Sequence, residues 1–180
     1  MYENPVIASI NDFAQIGEVI ESSCEVTFLL TGNILDIKEY VDLLKNHNKM
    51  VFLHVDLIGG FSKDVTALKF IHREIKPDGI ITTRPNLIKA GQGLGMLSIQ
   101  RLFLLDSLAI DSGINSVKQF RPDAIEVLPG VIPKMIGKIA SETKVPVIAG
   151  GLIDEKEDVI NCINAGAIGI STSNKKIWEL

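Results

Sequence analysis

The stretches 146-PVIAGGLI-153 and 165-AGAIGISTS-173 decide the reading of the fold. Each is a short apolar run that ends in glycines or hydroxyl residues, and an amphipathic segment, Glu155 to Ala165, lies between them. Two such runs joined by a helix read as parallel strands, because a parallel pair needs a covering crossover. Small residues at the ends of two consecutive strands leave room for backbone amides to approach a ligand oxygen. In a parallel barrel that corner is where a phosphate docks.

Working back along the chain, the same unit recurs. Strand candidates are Val6 to Ile10, Val26 to Thr31, Met50 to Asp56, Gly79 to Thr83, Ser98 to Leu105, Ala124 to Leu128, Val147 to Gly150 and Ala167 to Ser171. Between them run helical patterns. Ile34 to Asn46 places Ile37, Val41 and Leu44 on one face, and Lys63 to Lys76 carries an apolar stripe of Val65, Leu68, Ile71 and Ile75. Eight alternations predict a small (β/α)8 barrel of the TIM type spanning residues 1–180 as one domain, with an open doubly wound parallel sheet as the alternative. At roughly 22 residues per unit the chain is short for a barrel. The weakest helix is Asn86 to Gly95, which carries three glycines, and the last is a stub, Lys175 to Leu180.

Composition narrows the function. The 180 residues are 46% hydrophobic with a net charge of −4, which excludes a disordered chain and a surface basic all over. Neither Cys24 nor Cys162 belongs to a metal-ligand spacing, so two reduced, buried thiols are expected. The start of the chain lacks the pattern of a secretion signal, and no apolar run reaches membrane-spanning length. A cytoplasmic protein with no membrane partner is expected.

Candidate site residues follow from the ends of the strands. Gly150, Gly151, Ser171, Thr172 and Ser173 form the expected phosphate cradle. Asp56 and Glu126 interrupt apolar strands, where an acid is costly unless it is paired or used. With His54, which alternates onto the face of Asp56, and Arg84, just past a strand, they are candidates to face the hydroxyls of a polyol; a structural ion pair of Glu126 with Arg101 or His54 is the competing reading. Arg101 reads as structural from its place near a strand start, and Asp106 as a helix cap. No catalytic residue, metal site or cofactor is assigned. Lys69, His72, Arg73 and Lys76 fall at i, i+3, i+4 and i+7, a basic stripe on the third helix and the candidate nucleic-acid contact.

With these residues in place, a family resemblance can be stated. The segments 53-LHVDLIGG-60, 99-IQRLFLLDS-107 and 122-PDAIEVLPG-130, followed by PVIAGGLI and AGAIGISTS, resemble the glycerol uptake operon antiterminator regulatory family from near the N-terminus to Trp178. The resemblance implies a regulator, not an enzyme, that takes glycerol 3-phosphate as effector. It implies action on leader mRNA ahead of a terminator in glycerol-uptake genes. A homodimer would pool two weak RNA-binding patches. The alternative is a barrel lyase, isomerase or transferase acting on a small phosphorylated substrate.

Overall fold

A computed structural model describes residues 4–180. Eight parallel strands close on themselves in sequence order: β1 (Val6–Ile10), β2 (Val26–Leu29), β3 (Met50–His54), β4 (Gly79–Thr82), β5 (Leu97–Phe103), β6 (Ala124–Leu128), β7 (Val147–Gly150) and β8 (Gly169–Thr172). Closure is made by β8 on β1, with Ser171 opposite Ile7. The open-sheet alternative is thereby excluded: the fold is a TIM-type barrel.

The helices are α1 (Ile16–Glu21), α2 (Ile37–Asn46), α3 (Val65–Phe70), α4 (Pro85–Gly93), α5 (Ser107–Phe120), α6 (Pro133–Thr143), α7 (Lys156–Asn164) and α8 (Lys175–Trp178). Their apolar stripes pack on the outward faces of the strands, in a core that includes Leu44, Leu53, Ile80, Ile125 and Ile170. The short α8 is held through Trp178, which is buried and donates its indole N–H to the Thr172 carbonyl. Buried Lys49 ties the αβ turns together by donating to the Ser22 and Cys24 carbonyls.

Two helices depart from the sequence reading. The glycine-rich segment forms a full helix, α4, with Pro85 in its first turn. Gly91 is what lets it sit close to the sheet, since a Cβ there would lie 3.0 Å from the Ile80 side chain. The third helix is not α-helical to its end: Ile71–Ile75 is a π-helical turn, and Lys76 closes it in the left-handed conformation (φ 57°). The spacing that aligned Lys69, His72, Arg73 and Lys76 assumes 3.6 residues per turn, which a π turn does not keep. All four side chains are exposed, but Lys76 is the cap of the helix and not a member of its face.

Inside the barrel the alternation of strand side chains builds layers. The lower layer is apolar: Ile7, Phe28, Phe52, Ile81, Ile99, Ala124 and Ile148. Two residues further along the same faces come Ser9, His54, Arg101, Glu126 and Gly150, and beside them Ser171, a polar layer directly above the apolar one. Height in the barrel therefore sorts chemistry: apolar at the strand starts, polar toward the strand ends.

Candidate functional site

The polar layer is organised around Glu126. Its carboxylate is 1% exposed and is held from two sides. The Arg101 Nε–H donates to Oε2 at 2.6 Å, and the Ser171 hydroxyl donates to Oε1 at 2.6 Å. Arg101 stands opposite Glu126 in the β5–β6 register, so two neighbouring strands supply the ion pair at one height. The structural reading of Arg101 agrees with this pair; what it left out is that Arg101 also lines a cavity, since the inward face of β5 runs Leu97, Ile99, Arg101, Phe103. The ion pair offered as the competing reading of Glu126, with Arg101 or His54 as partner, is present, and its partner is Arg101.

Above this pair lies a cavity of about 150 Å³ at the strand C-termini. Its floor is Arg101, Glu126 and Ser171; its wall on the β7 and β8 side is Gly151, Leu152, Thr172 and Ser173; Ser9 and Asn11 close it from β1. Ser9 and Asn11 were missed in the sequence, although they follow Ile7 at alternate positions on one strand face. The positive charge of Arg101 is matched by Glu126, and Asp154 adds a second carboxylate to the lining, so an anion here would rest on hydroxyls and backbone amides and not on net charge.

The glycines have different tasks. Gly151 is left-handed (φ 75°) and borders the cavity. Gly150 faces the barrel interior, and a Cβ on it would lie 2.3 Å from the Ser171 hydroxyl and 2.9 Å from Glu126 Oε1. It is absent from the cavity wall; what it supplies is room for the Ser171–Glu126 hydrogen bond. Thr172 donates to the Ile153 carbonyl and accepts from the Asn174 amide, so its hydroxyl braces the loop after β7. Gly150→Ala is expected to cost about 2 kcal/mol of stability, the scale of a displaced hydrogen bond to a buried charge. Thermal unfolding of the variant tests this, and an unchanged melting temperature would show that the layer yields freely.

The remaining candidates form a second group on β3 and β4, and none of them borders the 150 Å³ cavity. β3 ends at His54, and Asp56 lies in the turn beyond it. One Asp56 oxygen accepts from the Thr82 hydroxyl (3.0 Å) and from the Thr83 amide (2.8 Å) and hydroxyl (3.2 Å). The other faces Arg84 Nε at 3.3 Å. Arg84, just past β4, is thus tethered to the loop after β3. His54 is 2% exposed, and its Nδ1 has no hydrogen-bond partner among the described residues. Burial, reinforced by the Arg101 charge, pulls its pKa down to about 4 against a weaker opposing pull from Asp56, so the imidazole is neutral near pH 7. Asp106 is a cap, accepting from the Ala109 amide at the start of α5. Among the described residues no cluster of three or more metal-ligating side chains occurs, and no helix is long and apolar enough to cross a membrane.

The sequence profile of the glycerol-3-phosphate responsive antiterminators matches residues 6–178. The chain belongs to that family. A structure described as the glycerol uptake operon antiterminator regulatory protein of Listeria monocytogenes superposes with a TM-score of 0.96 at 38% identity, over 98% of this chain and 96% of that one. An antiterminator-related protein from Thermotoga maritima superposes at 0.88 with 32% identity over the full length of both. YgcP of Escherichia coli K12, an uncharacterized protein, is 40% identical over 178 residues, 99% of this chain and 93% of its own. In this antiterminator family member, the cavity described above sits at the strand C-termini, the end of the barrel that carries function in this fold.

Proposed function

We propose that the chain senses glycerol 3-phosphate in the cytoplasm and, when loaded, promotes antitermination by binding leader mRNA of glycerol-uptake genes. One observation carries the ligand reading. A cavity of about 150 Å³, sized for a small metabolite, combines a glycine and hydroxyl wall at the ends of β7 and β8 with a buried Arg101–Glu126–Ser171 floor. The phosphate is assigned to Gly151 and Ser173, with Thr172 bracing the wall and Gly150 making room for the Ser171–Glu126 hydrogen bond beneath it; the hydroxyls are assigned to Glu126, and His54 stands outside the cavity. Asp56 and Arg84 brace the opposite loop. Lys69 and Arg73 on α3 are the RNA contacts proposed, with Lys76 next to them at the cap.

A sensor reading is favoured over an enzyme by the state of Glu126. A carboxylate already held by a guanidinium and a hydroxyl is a poor general base. Among the described residues, the inward positions of the strands hold no lysine, which disfavours Schiff-base chemistry. Calorimetric titration with glycerol 3-phosphate, glycerol and inorganic phosphate in parallel tests the ligand. Saturable binding is expected for the first alone, and equal binding of inorganic phosphate would overturn the polyol half of the site. Leader-RNA affinity is expected to rise about 5- to 150-fold with glycerol 3-phosphate, the range of ordinary allosteric coupling. An unchanged affinity would remove the gating.

A further inference from the structure

The flank of the barrel at α3 and α4 differs in charge from the rest of the chain. From Lys63 to Lys89 the sequence holds six lysines and arginines against three acids, while the whole chain carries a net charge of −4. The two helices pack on each other. Lys63, Lys69 and Lys89 are exposed, and none of them is ion-paired among the described residues. Arg73 is matched by its neighbour Glu74.

A basic face is often only a solvated one. This face has a hollow of about 250 Å³ beside it. Ile34 from the loop after β2, Phe61 and Ser62 from the loop after β3, and Thr66 and Phe70 of α3 line it. The rings of Phe61 and Phe70 lie 5.8 Å apart, tilted by 48°. Phe70 is 39% and Ile34 41% exposed, so apolar surface is left facing water. The floor is fixed by backbone. The Ile34 amide donates to the Gly59 carbonyl and the Gly59 amide to the Gly32 carbonyl, both at 2.9 Å. Gly60 is left-handed (φ 83°), and a Cβ there would lie 2.6 Å from the Ile34 side chain. The hollow is thus preformed.

The free lysines flank it. Lys63 lies between Ser62 and Asp64, both lining residues. Lys69 follows Thr66 by one turn within the α-helical part of α3, so the two share a face, and it directly precedes Phe70. Asp64 is the one carboxylate in the lining. One of its oxygens accepts from the Ala67 amide at 2.9 Å; the other is open to the exocyclic amine of a base. An aromatic face between two cations suits a partner with a flat ring and negative charge on either side of it. An unpaired nucleotide in a strand has both, whereas a duplex keeps its ring faces inside the stack.

We infer, resting on the RNA-binding reading above, that this hollow takes one unpaired base of the RNA, its ring stacked on Phe70 and its flanking phosphates on Lys63 and Lys69. The stack selects an unpaired nucleotide, and the lysines hold the strand.

The test is filter binding of the full chain, saturated with glycerol 3-phosphate, to leader RNA in which each unpaired nucleotide in turn is made abasic. One position is expected to lose about 5- to 150-fold in the wild type, the range of one base–aromatic stack. Phe70→Ala is expected to lose a similar factor, to keep the salt dependence of the wild type and to be indifferent to that abasic site. Phe70→Trp is expected to bind at least as tightly as wild type, which a role in packing alone does not predict. Phe70→Leu, which keeps an apolar side chain against Phe61, is the second variant should Phe70→Ala fail to fold. K63Q and K69Q are each expected to lower the slope of log affinity against log salt by about 0.7, one single-strand phosphate contact. Wild-type affinity in folded Phe70→Ala or Phe70→Leu, or a loss that adds to that of every abasic site, would overturn the stack. An unchanged slope in both lysine variants would overturn the phosphate contacts. Dissociation of a dimer by Phe70→Ala at unchanged RNA affinity would give the hollow to a second copy of the chain instead. No binding of unmodified leader RNA by the wild type is a separate failure, which overturns the RNA reading itself and the inference with it.

Discussion

Denaturant titration of Glu126→Ala is expected to show a loss of about 3–5 kcal/mol in unfolding free energy, the cost of leaving one member of a buried ion pair behind. Arg101 and Glu126 are 8% and 2% exposed at their side chains, so water cannot replace the lost partner. The substitution strands the Arg101 guanidinium in the barrel and removes the acceptor of the Ser171 hydroxyl. Arg101→Met alone leaves the carboxylate uncompensated and is expected to cost a similar amount. The double variant Arg101→Met/Glu126→Met separates charge from packing. Removing both charges leaves nothing to desolvate, so stability is expected to return to within about 1–2 kcal/mol of wild type. If Glu126→Ala costs less than about 1 kcal/mol, the pair is hydrated and the layer is not the dry floor described above.

The pair bears on the proposed role of this layer in ligand binding. A buried ion pair gives little net stability against an apolar replacement of the same shape. Its presence at the base of a cavity, one layer above a wholly apolar one, accords with the proposed role in ligand binding. Recovery of stability without recovery of glycerol 3-phosphate binding in the double variant is the expected signature of that role.

How much of this was legible in the sequence depends on which rule governed each residue. The eight βα units and the barrel were legible because period-two and period-3.6 patterns alternate without interruption. Glu126 was legible because a charge inside AIEVL demands a partner, and Arg101 stood among the named partners. That Arg101 lines the cavity was not legible, because height in a barrel depends on the stagger between strands, and only the register sets Arg101 opposite Glu126. Gly150 and Gly151 look alike in sequence, yet alternation sends one toward Ser171 and the other, left-handed, to the cavity edge. The helix at Gly91 was underrated because propensity ignores packing, and there the missing side chain is what lets α4 approach Ile80. The basic stripe failed in the other direction. A regular 3.6-residue turn was assumed through Ile71–Ile75, where the backbone widens to a π turn.

Acidification is expected to destabilise the protein through His54. The imidazole is buried beside Arg101, and its folded pKa is about 4 against about 6.5 unfolded. Between those values the unfolded chain binds a proton that the folded chain refuses. The contribution of this group is therefore fully present above pH 6.5 and is lost as pH falls toward 4, by roughly 3 kcal/mol over the window. Carboxylates add their own slope at the acidic end, so the difference between wild type and a variant isolates the histidine. His54→Gln keeps a polar side chain of similar reach and cannot titrate. Across urea midpoints at pH 7, 6, 5 and 4, the wild type is expected to fall progressively relative to the variant, since only the wild type carries the histidine penalty. Parallel curves across that range would mean that His54 protonates freely in the folded state. In that event the imidazole would be charged at mildly acidic pH inside the barrel, beside Arg101.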